Sequence, residues 1–133
     1  MKAMVLAAGQ GTRLRPITER MPKALVPVAG RPMIEFALLL LRRYGVRDIV
    51  INLHHFGAQI ENHLGNGQRF DVNIGYSNEP ELLDTGGGLL KAKTFLQDNT
   101  FIVINTDALI DVDLAAVLNF HRKNNAAATL VLR

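Results

Sequence analysis

Two glycines and two cations near the start of the chain have the types and spacing of a polyanion site. The segment 7–16 (AAGQGTRLRP) contains Gly9, Gly11 and Arg13, and Lys23 follows a few residues later. Glycine at such positions lets backbone N–H groups approach a ligand closely. Exposed amides beside arginine and lysine attract anions. The pattern therefore predicts a loop that binds phosphates, such as those of a nucleotide.

Simpler interpretations of this segment remain open. Gly9 and Gly11 could form only a tight turn between a strand and a helix, and Lys23 could be a solvated surface lysine. Leu14 stands where a dinucleotide-binding fingerprint requires its third glycine, and no GxxxxGK[ST] segment occurs. The sequence therefore disfavours both a Rossmann dinucleotide site and a P-loop.

A carboxylate that follows a later apolar run predicts a cation site. Asp107 comes directly after 101–106 (FIVINT), where its oxygens could hold a Mg²⁺ ion that bridges substrate phosphates. A helix cap or an ordinary loop acid is the alternative. His54 and His55 have no partner at metal-ligand spacing. The chain has no cysteine and no serine in a GxSxG turn, so covalent catalysis is not indicated.

Three consecutive glycines precede an apolar helical pattern. Gly86, Gly87 and Gly88 each cost a helix roughly 1 kcal/mol relative to alanine, which favours a reason for close backbone approach. Their amides would then face a ribose, a phosphate or a sugar. A merely flexible helix entry is the alternative.

The elements that must position these residues alternate along the chain. Predicted strands cover 3–8, 49–53, 72–76, 101–105 and 127–132. Predicted helices cover about 32–44, 56–64 and 86–97, and a fourth begins after Asp113. This alternation is typical of βαβ units, and therefore of an α/β fold with a mostly parallel sheet. In such a sheet, ligands bind outside the carboxyl ends of the strands.

Composition limits the class of protein. The chain of 133 residues is long enough for one domain with a real core. A net charge of +3 without a dense basic run or an aromatic platform argues against nucleic-acid binding. The absence of cysteine fits a reducing compartment, so we expect a cytoplasmic protein. The longest apolar run, 36–41, is far too short to span a membrane.

Two longer motifs resemble the signature of the sugar-1-phosphate nucleotidyltransferases. They are LAAGxGTRLxP over 6–16 and PKxLxPV over 22–28, and LDTGGG over 83–88 continues the match. The resemblance implies a Rossmann-like three-layer sandwich of the nucleotide-diphospho-sugar transferase type, truncated. Residues 1–133 would be its nucleotide-binding N-terminal part, without the sugar-binding part. The similarity is greatest to N-acetylmuramate-1-phosphate uridylyltransferases and nearly as great to mannose-1-phosphate guanylyltransferases.

The resemblance also implies roles for residues at the phosphate end of the substrate. Gly9, Gly11, Thr12 and Arg13 would cradle the triphosphate, and Arg13 would favour the departure of pyrophosphate. Lys23 would neutralise charge around the α-phosphate. Arg13, Lys23 and Asp107 would thus be the catalytic residues, with Asp107 holding the Mg²⁺ cofactor.

At the other end of the nucleotide, the resemblance implies contacts with the base, the ribose and the sugar. Glu79 would lie at the base edge. The residues that would pack along the nucleotide or near the sugar are Asp84, Thr85, Gly86, Gly87 and Gly88. One departure is Thr106, which stands where the family usually has glycine and could crowd the metal or the ribose.

The partners implied are a nucleoside triphosphate and a sugar 1-phosphate. Overall similarity favours UTP, whereas a carboxylate at Glu79 would suit the donor groups of guanine and favour GTP. A chain that ends at Arg133, directly after a predicted strand, suggests the N-terminal part of a longer domain. We therefore also expect a catalytically weak nucleotide-binding or regulatory fragment as an alternative, and self-association through the exposed edge.

Overall fold

The computed structural model describes residues 1–97 and 99–132. Six strands are present in this part of the chain: β1 (Lys2–Leu6), β2 (Pro27–Val28), β3 (Arg31–Pro32), β4 (Asp48–Leu53), β5 (Asn73–Asn78) and β6 (Phe101–Asn105). The main sheet has the order β5–β4–β1–β6, and every neighbouring pair in it is parallel. The two short strands β2 and β3 form a separate antiparallel pair.

The described residues also form five α-helices: α1 (Met33–Arg43), α2 (Gly57–Leu64), α3 (Asp84–Lys91), α4 (Lys93–Leu96) and, after the last strand, α5 (Leu114–Lys123). Local signals set several of their ends. Pro32 directly precedes α1, as expected for a residue with a fixed φ and no N–H to donate. The Asp113 carboxylate caps α5 by accepting from the N–H groups of Ala115 and Ala116.

The strand register brings four carboxyl ends to one edge of the sheet. Leu6 of β1 pairs with Asn52 of β4 on one side and with Asn105 of β6 on the other. Asn52 in turn pairs with Ser77 of β5. The loops that follow these strands therefore emerge side by side, where a parallel sheet binds ligands.

The sheet is the middle of three layers. Ala3 and Val5 of β1 face a core that includes residues of α1, α2 and α5. Met4 lies between them in the chain and faces the opposite side of the sheet. There it packs with Ala92, which lies between α3 and α4, and with Leu96 of α4. This alternation gives the three-layer α/β sandwich that the sequence predicts, because successive strand residues point to opposite faces.

Most predicted elements are confirmed, but the β2–β3 pair was not predicted, β1 ends at Leu6 and not at residue 8, and two larger differences occur. The helix predicted over 86–97 begins at Asp84 and is divided at Ala92 into α3 and α4. Residues 127–132 do not form the predicted strand, and Leu130 and Leu132 are 78% and 83% exposed. An apolar run becomes a strand only where a neighbouring strand accepts its hydrogen bonds, and within the described residues β6 remains the edge of the sheet.

Helix length and hydropathy give no sign of a membrane segment in the described part of the chain. None of the helices there has the length and apolar character needed to cross a bilayer.

Candidate functional site

A cavity of about 290 Å³ opens at the carboxyl edge of the sheet. The loops after β1 and β6 and the start of α3 supply most of its walls. Its lining includes residues 6–9 and 11–14, Lys23, Ala24, Asn52, Leu82, Asp84, Thr85 and residues 105–107. Of the predicted site residues, the structure thus brings together Gly9, Gly11, Thr12, Arg13, Lys23, Asp84, Thr85 and Asp107.

The loop after β1 is held in shape by Gly11. Its φ of 64° lies in the left-handed region that favours glycine. Its carbonyl oxygen accepts from Leu14 N at 2.9 Å and from the Thr18 hydroxyl at 2.7 Å. A Cβ at this position would lie 2.9 Å from both Lys23 Cβ and Thr18 Cγ2. Gly11 therefore permits the close packing that places Lys23 beside the loop.

Lys23 and Asp107 meet across the cavity although they are far apart in sequence. The Lys23 Nζ lies 3.2 Å from an Asp107 carboxylate oxygen, and these side chains are 22% and 46% exposed. At this exposure an ion pair contributes little stability, because water screens it. Each partner can therefore exchange the other for a charged ligand at small cost. Arg13, also exposed, adds a second cation to the same lining.

Thr106 occupies the position where a side chain was expected to crowd the site. It is buried, and its hydroxyl donates to the carbonyl oxygen of Leu6 at 2.8 Å. The backbone N–H of Thr106 is directed to the same carbonyl at 3.3 Å. The hydroxyl is thus used to join β1 to the loop after β6, directly before Asp107.

The three consecutive glycines lie inside α3 and not in the cavity lining. A Cβ at Gly87 would lie 2.8 Å from Leu83 Cβ, and one at Gly88 would lie 2.9 Å from a Glu79 carboxylate oxygen. Gly86 has no such neighbour within 4 Å. The close approach that the glycines predict is therefore found at Gly87 and Gly88, but to other parts of this chain.

Glu79 also differs in its surroundings from the expectation. It is only 3% exposed and is not among the residues that line the cavity. Its Oε1 accepts from Asn52 Nδ2 at 2.9 Å, and its Oε2 accepts from Leu83 N at 3.1 Å. Both carboxylate oxygens thus accept a hydrogen bond from within the protein.

Several residues of the cavity were not assigned by sequence reasoning. Asn105 is the last residue of β6, Asn52 is the next-to-last residue of β4, and both line the cavity, to which Leu82 contributes an apolar side. A polar residue near the carboxyl end of an apolar strand was the available signal for the two asparagines, because that end lies at the ligand edge. Nothing in the sequence pattern distinguished Leu82.

The donor set for a metal ion is small. Within 1–97 and 99–132, no group of three or more histidine, cysteine, aspartate or glutamate side chains could hold a metal. Asp107 and Asp84 both offer a carboxylate to the cavity lining, and Asp107 lies beside Lys23 near the loop after β1. Mg²⁺ is commonly bound through one or two carboxylates together with substrate phosphates and water, so Asp107 fits such a shared site.

Comparisons with known proteins agree with this geometry. The chain is 43% identical to a UTP–glucose-1-phosphate uridylyltransferase of Synechocystis, covering all of this chain and 37% of the relative. It is 48% identical to an N-acetylmuramate α-1-phosphate uridylyltransferase of Neisseria meningitidis, covering 87% of this chain and 51% of the relative. The chain thus spans about half or less of the length of these curated relatives.

Solved structures show the same fold. A UDP-glucose pyrophosphorylase from Acinetobacter baumanii matches with a TM-score of 0.80 and 26% identity, over 94% of this chain and 53% of that one. The model of the nucleotidyl transferase family matches residues 2–133. On its sequence, its parallel sheet and its cavity, the chain belongs to the nucleotidyl transferase family.

Proposed function

We propose that this chain binds a nucleoside triphosphate in the cavity, as the nucleotide-binding part of a sugar-1-phosphate nucleotidyltransferase. The observation that carries the proposal is the convergence of Arg13, Lys23 and Asp107 beside the glycine loop at one edge of the sheet. The two cations and the nearby backbone amides suit a polyphosphate, and the Asp107 carboxylate suits a cation bound between it and the phosphates.

The reaction proposed is an in-line displacement at phosphorus. A phosphate oxygen of the sugar 1-phosphate attacks the α-phosphorus of the nucleotide, a new P–O bond forms, and pyrophosphate leaves. The attacking oxygen is already ionised, so no general base is required. Two anions must approach each other, and the task of the protein is therefore positioning and charge neutralisation.

The residues of the cavity divide this task. The loop with Gly9, Gly11 and Thr12 would hold the triphosphate, while Arg13 would neutralise the departing pyrophosphate. Lys23 would leave Asp107 and bind near the α-phosphate.

On the other side of the cavity, Asp84 and Thr85 would pack along the base and ribose. The run from Gly86 to Gly88 follows them in α3, where Gly87 and Gly88 let the helix pack closely against Leu83 and Glu79.

Asp107 is the residue we propose to hold Mg²⁺. When bound, the ion would supply further neutralisation of the phosphate oxygens. Lys23 already compensates the charge of this carboxylate at 3.2 Å, and release of the lysine to the phosphates would free the carboxylate for the ion. The same movement would thus prepare both groups.

UTP is the nucleotide we favour, with GTP as the alternative. Both uridylyltransferases described above are more than 40% identical to the chain, whereas a mannose-1-phosphate guanylyltransferase of Mycobacterium tuberculosis is 38% identical. The chemical argument for GTP relied on a free carboxylate at Glu79. That argument is weaker now, because both oxygens of Glu79 accept hydrogen bonds from the protein.

A thermal-shift series tests nucleotide binding directly. We expect UTP with Mg²⁺ to raise the unfolding midpoint, since a ligand stabilises by RT ln(1 + [L]/Kd). Lys23→Gln should weaken UTP binding by about 10- to 100-fold, the value of one charged hydrogen bond. Lys93→Gln, which removes the same charge from an exposed position on α4, is the matched control. No shift with UTP, GTP, CTP or dTTP would refute the proposal, and equal shifts with all four would refute base selectivity.

A second candidate is a nucleotide-binding chain with little turnover of its own. Its support is the share of the relatives that the chain spans, 37% and 51%, together with the lack, within the described residues, of any group of three metal-ligating side chains. On this view residues 1–133 are the nucleotide-binding part of a longer catalytic domain. Measurable release of pyrophosphate from UTP, Mg²⁺ and a sugar 1-phosphate by the purified chain would contradict it.

The compartment and the assembly are proposals of the same kind. The lack of cysteine favours the cytoplasm. Self-association through a second copy is favoured by β6, an edge strand within the described sheet, whose Phe101 and Val103 are each 39% exposed.

A further inference from the structure

A buried chain of hydrogen bonds runs behind the cavity. The Ala7 N–H donates to Asn52 Oδ1 at 2.8 Å, and Asn52 Nδ2 donates to Glu79 Oε1 at 2.9 Å. The second carboxylate oxygen of Glu79 accepts from the backbone N–H of Leu83 at 3.1 Å. Asn52 and Glu79 are each only 3% exposed. We call these four residues the relay.

The backbone of Glu79 is fixed as firmly as its side chain. Its N–H donates to the carbonyl oxygen of Leu53 at 2.7 Å, and the ring Nδ1 of His54 lies 2.8 Å from its carbonyl oxygen. Hydrogen bonds thus hold the backbone N–H, the backbone carbonyl and the carboxylate of Glu79. The carboxylate therefore cannot turn toward a base unless the hydrogen bonds of the relay break.

The relay joins two separate parts of the cavity lining. Ala7 lines the cavity and begins the loop that we propose for the phosphates, and Leu83 directly precedes Asp84 and Thr85. Asp84 has a φ of 56°, so the chain makes a sharp turn immediately after the bonded N–H of Leu83. The hydrogen bond from Leu83 to Glu79 therefore fixes where this turn lies relative to the loop after β1.

We propose that Glu79, acting through Asn52, is a positioning residue that sets the spacing between the phosphate loop and the segment 82–85. This inference rests on the proposed function, since the spacing matters for a nucleotide held between the two parts. It gives Glu79 a role different from contact with the base.

The packing of Gly88 in α3 also supports the positioning role of Glu79. A Cβ at this position would lie 2.9 Å from Glu79 Oε1 and 3.1 Å from Asn52 Nδ2. Helix α3 can therefore pack onto the relay only with glycine there. Gly88, which the sequence suggested for contact with a ligand, thus allows α3 to pack against the carboxylate of Glu79.

The donor and acceptor pattern of the relay explains why a carboxylate is needed. Asn52 Nδ2 and Leu83 N are both donors, and an ionised carboxylate can accept from both. The amide in Glu79→Gln has only one acceptor oxygen, so one N–H would face another N–H. Asn52→Asp would instead set two carboxylates against each other at a contact that now measures 2.9 Å.

The double variant restores every bond with the same net charge. In Asn52→Asp/Glu79→Gln, the new carboxylate accepts from Ala7 N–H and from the new amide, whose oxygen accepts from Leu83 N–H. If the relay sets the spacing, both single variants should lose nucleotide affinity and stability, and the double variant should regain them. Contact of Glu79 with the base predicts no such rescue.

The experiment compares the wild type, the two single variants and the double variant. Binding of UTP and of GTP with Mg²⁺ is measured by calorimetry under conditions where urea titration shows each variant folded. Glu81→Gln, the same substitution at an exposed position two residues along the chain, is the control. We expect each single variant to lose about tenfold in affinity for both nucleotides, to keep the wild-type UTP:GTP ratio, and to unfold at lower urea concentration.

We expect the double variant to regain the wild-type urea midpoint and most of the lost affinity. Wild-type affinity in Glu79→Gln, or a tenfold change in its UTP:GTP ratio without a change in midpoint, would overturn the inference. So would a double variant with an unfolding midpoint no higher than those of the single variants. A wild-type chain that binds no nucleotide would refute the proposed function itself, and this result is distinct from the others.

Discussion

Substitution of Gly11 by alanine tests how the phosphate loop is built. Two separate costs are expected. A non-glycine residue at φ 64° costs about 1–2 kcal/mol, and a Cβ at 2.9 Å from Lys23 Cβ and Thr18 Cγ2 overpacks the loop by about 1–3 kcal/mol. We therefore expect Gly11→Ala to lower the free energy of unfolding by about 2–5 kcal/mol, a large part of the roughly 5–15 kcal/mol typical of a domain.

Two other glycines separate these costs. Gly30 has a similar φ of 78° but no atom within 4 Å of an added Cβ, so Gly30→Ala should show only the cost of φ, about 1–2 kcal/mol. Gly9 has neither a positive φ nor a close neighbour. Gly9→Ala should therefore keep wild-type stability while it weakens nucleotide binding, because the added methyl group enters the cavity.

Urea denaturation followed by circular dichroism provides the measurement. The slope of the free energy against urea should stay constant across the three variants, so that differences in midpoint report stability. If Gly11→Ala is no less stable than Gly30→Ala, the packing of the loop against Lys23 and Thr18 does not constrain this position, and our account of the loop is wrong.

Three further predictions concern other contacts. Thr18→Val keeps the shape of a side chain that is 2% exposed but leaves the Gly11 carbonyl without its 2.7 Å donor, so we expect a loss of about 1–3 kcal/mol in urea unfolding; an unchanged midpoint would contradict this. Burial, assisted by the charge of Glu61, raises the pKa of Tyr76 from its ordinary value of 10.0 to about 12. The folded state thus holds the phenol proton more tightly than the unfolded state does. The stability that Tyr76 contributes should therefore be complete below pH 10 and should be lost as pH rises from 10 to about 12. Absorbance of the phenolate should show titration in this pH range, and the unfolding of Tyr76→Phe should show no such loss of stability. Light scattering should show self-association that Phe101→Lys reduces, and a monodisperse monomer in the wild type would refute the proposed edge contact.

Elements with local signals could be predicted well. The strand before the glycine loop, the helix after Pro32 and the helix capped by Asp113 all appear close to their expected bounds. Their hydrophobic periods and their caps act over a few residues, so the sequence itself displays them. The convergence of loops at one edge could also be predicted, because it follows from parallel strands alone.

Non-local partners account for the differences. Residues 127–132 have the composition of a strand but lack a neighbour within the described chain, and pairing cannot be deduced from composition. The partners of Glu79 illustrate the same limit. Its carboxylate accepts from Asn52, which lies 27 positions earlier, and no local feature of the sequence indicates this contact.

The sequence by itself determined the α/β class and the glycine loop with the two nearby cations Arg13 and Lys23, because glycine spacing and hydrophobic periodicity are local properties of the chain. The tertiary structure alone decided which charges meet and which are buried. It paired Lys23 with Asp107, 84 positions apart, and placed Glu79 and Gly88 in contact behind the cavity. The physical reason is that hydrogen bonds and steric contacts depend on distances of a few ångströms, and only the packed sheet and helices fix those distances.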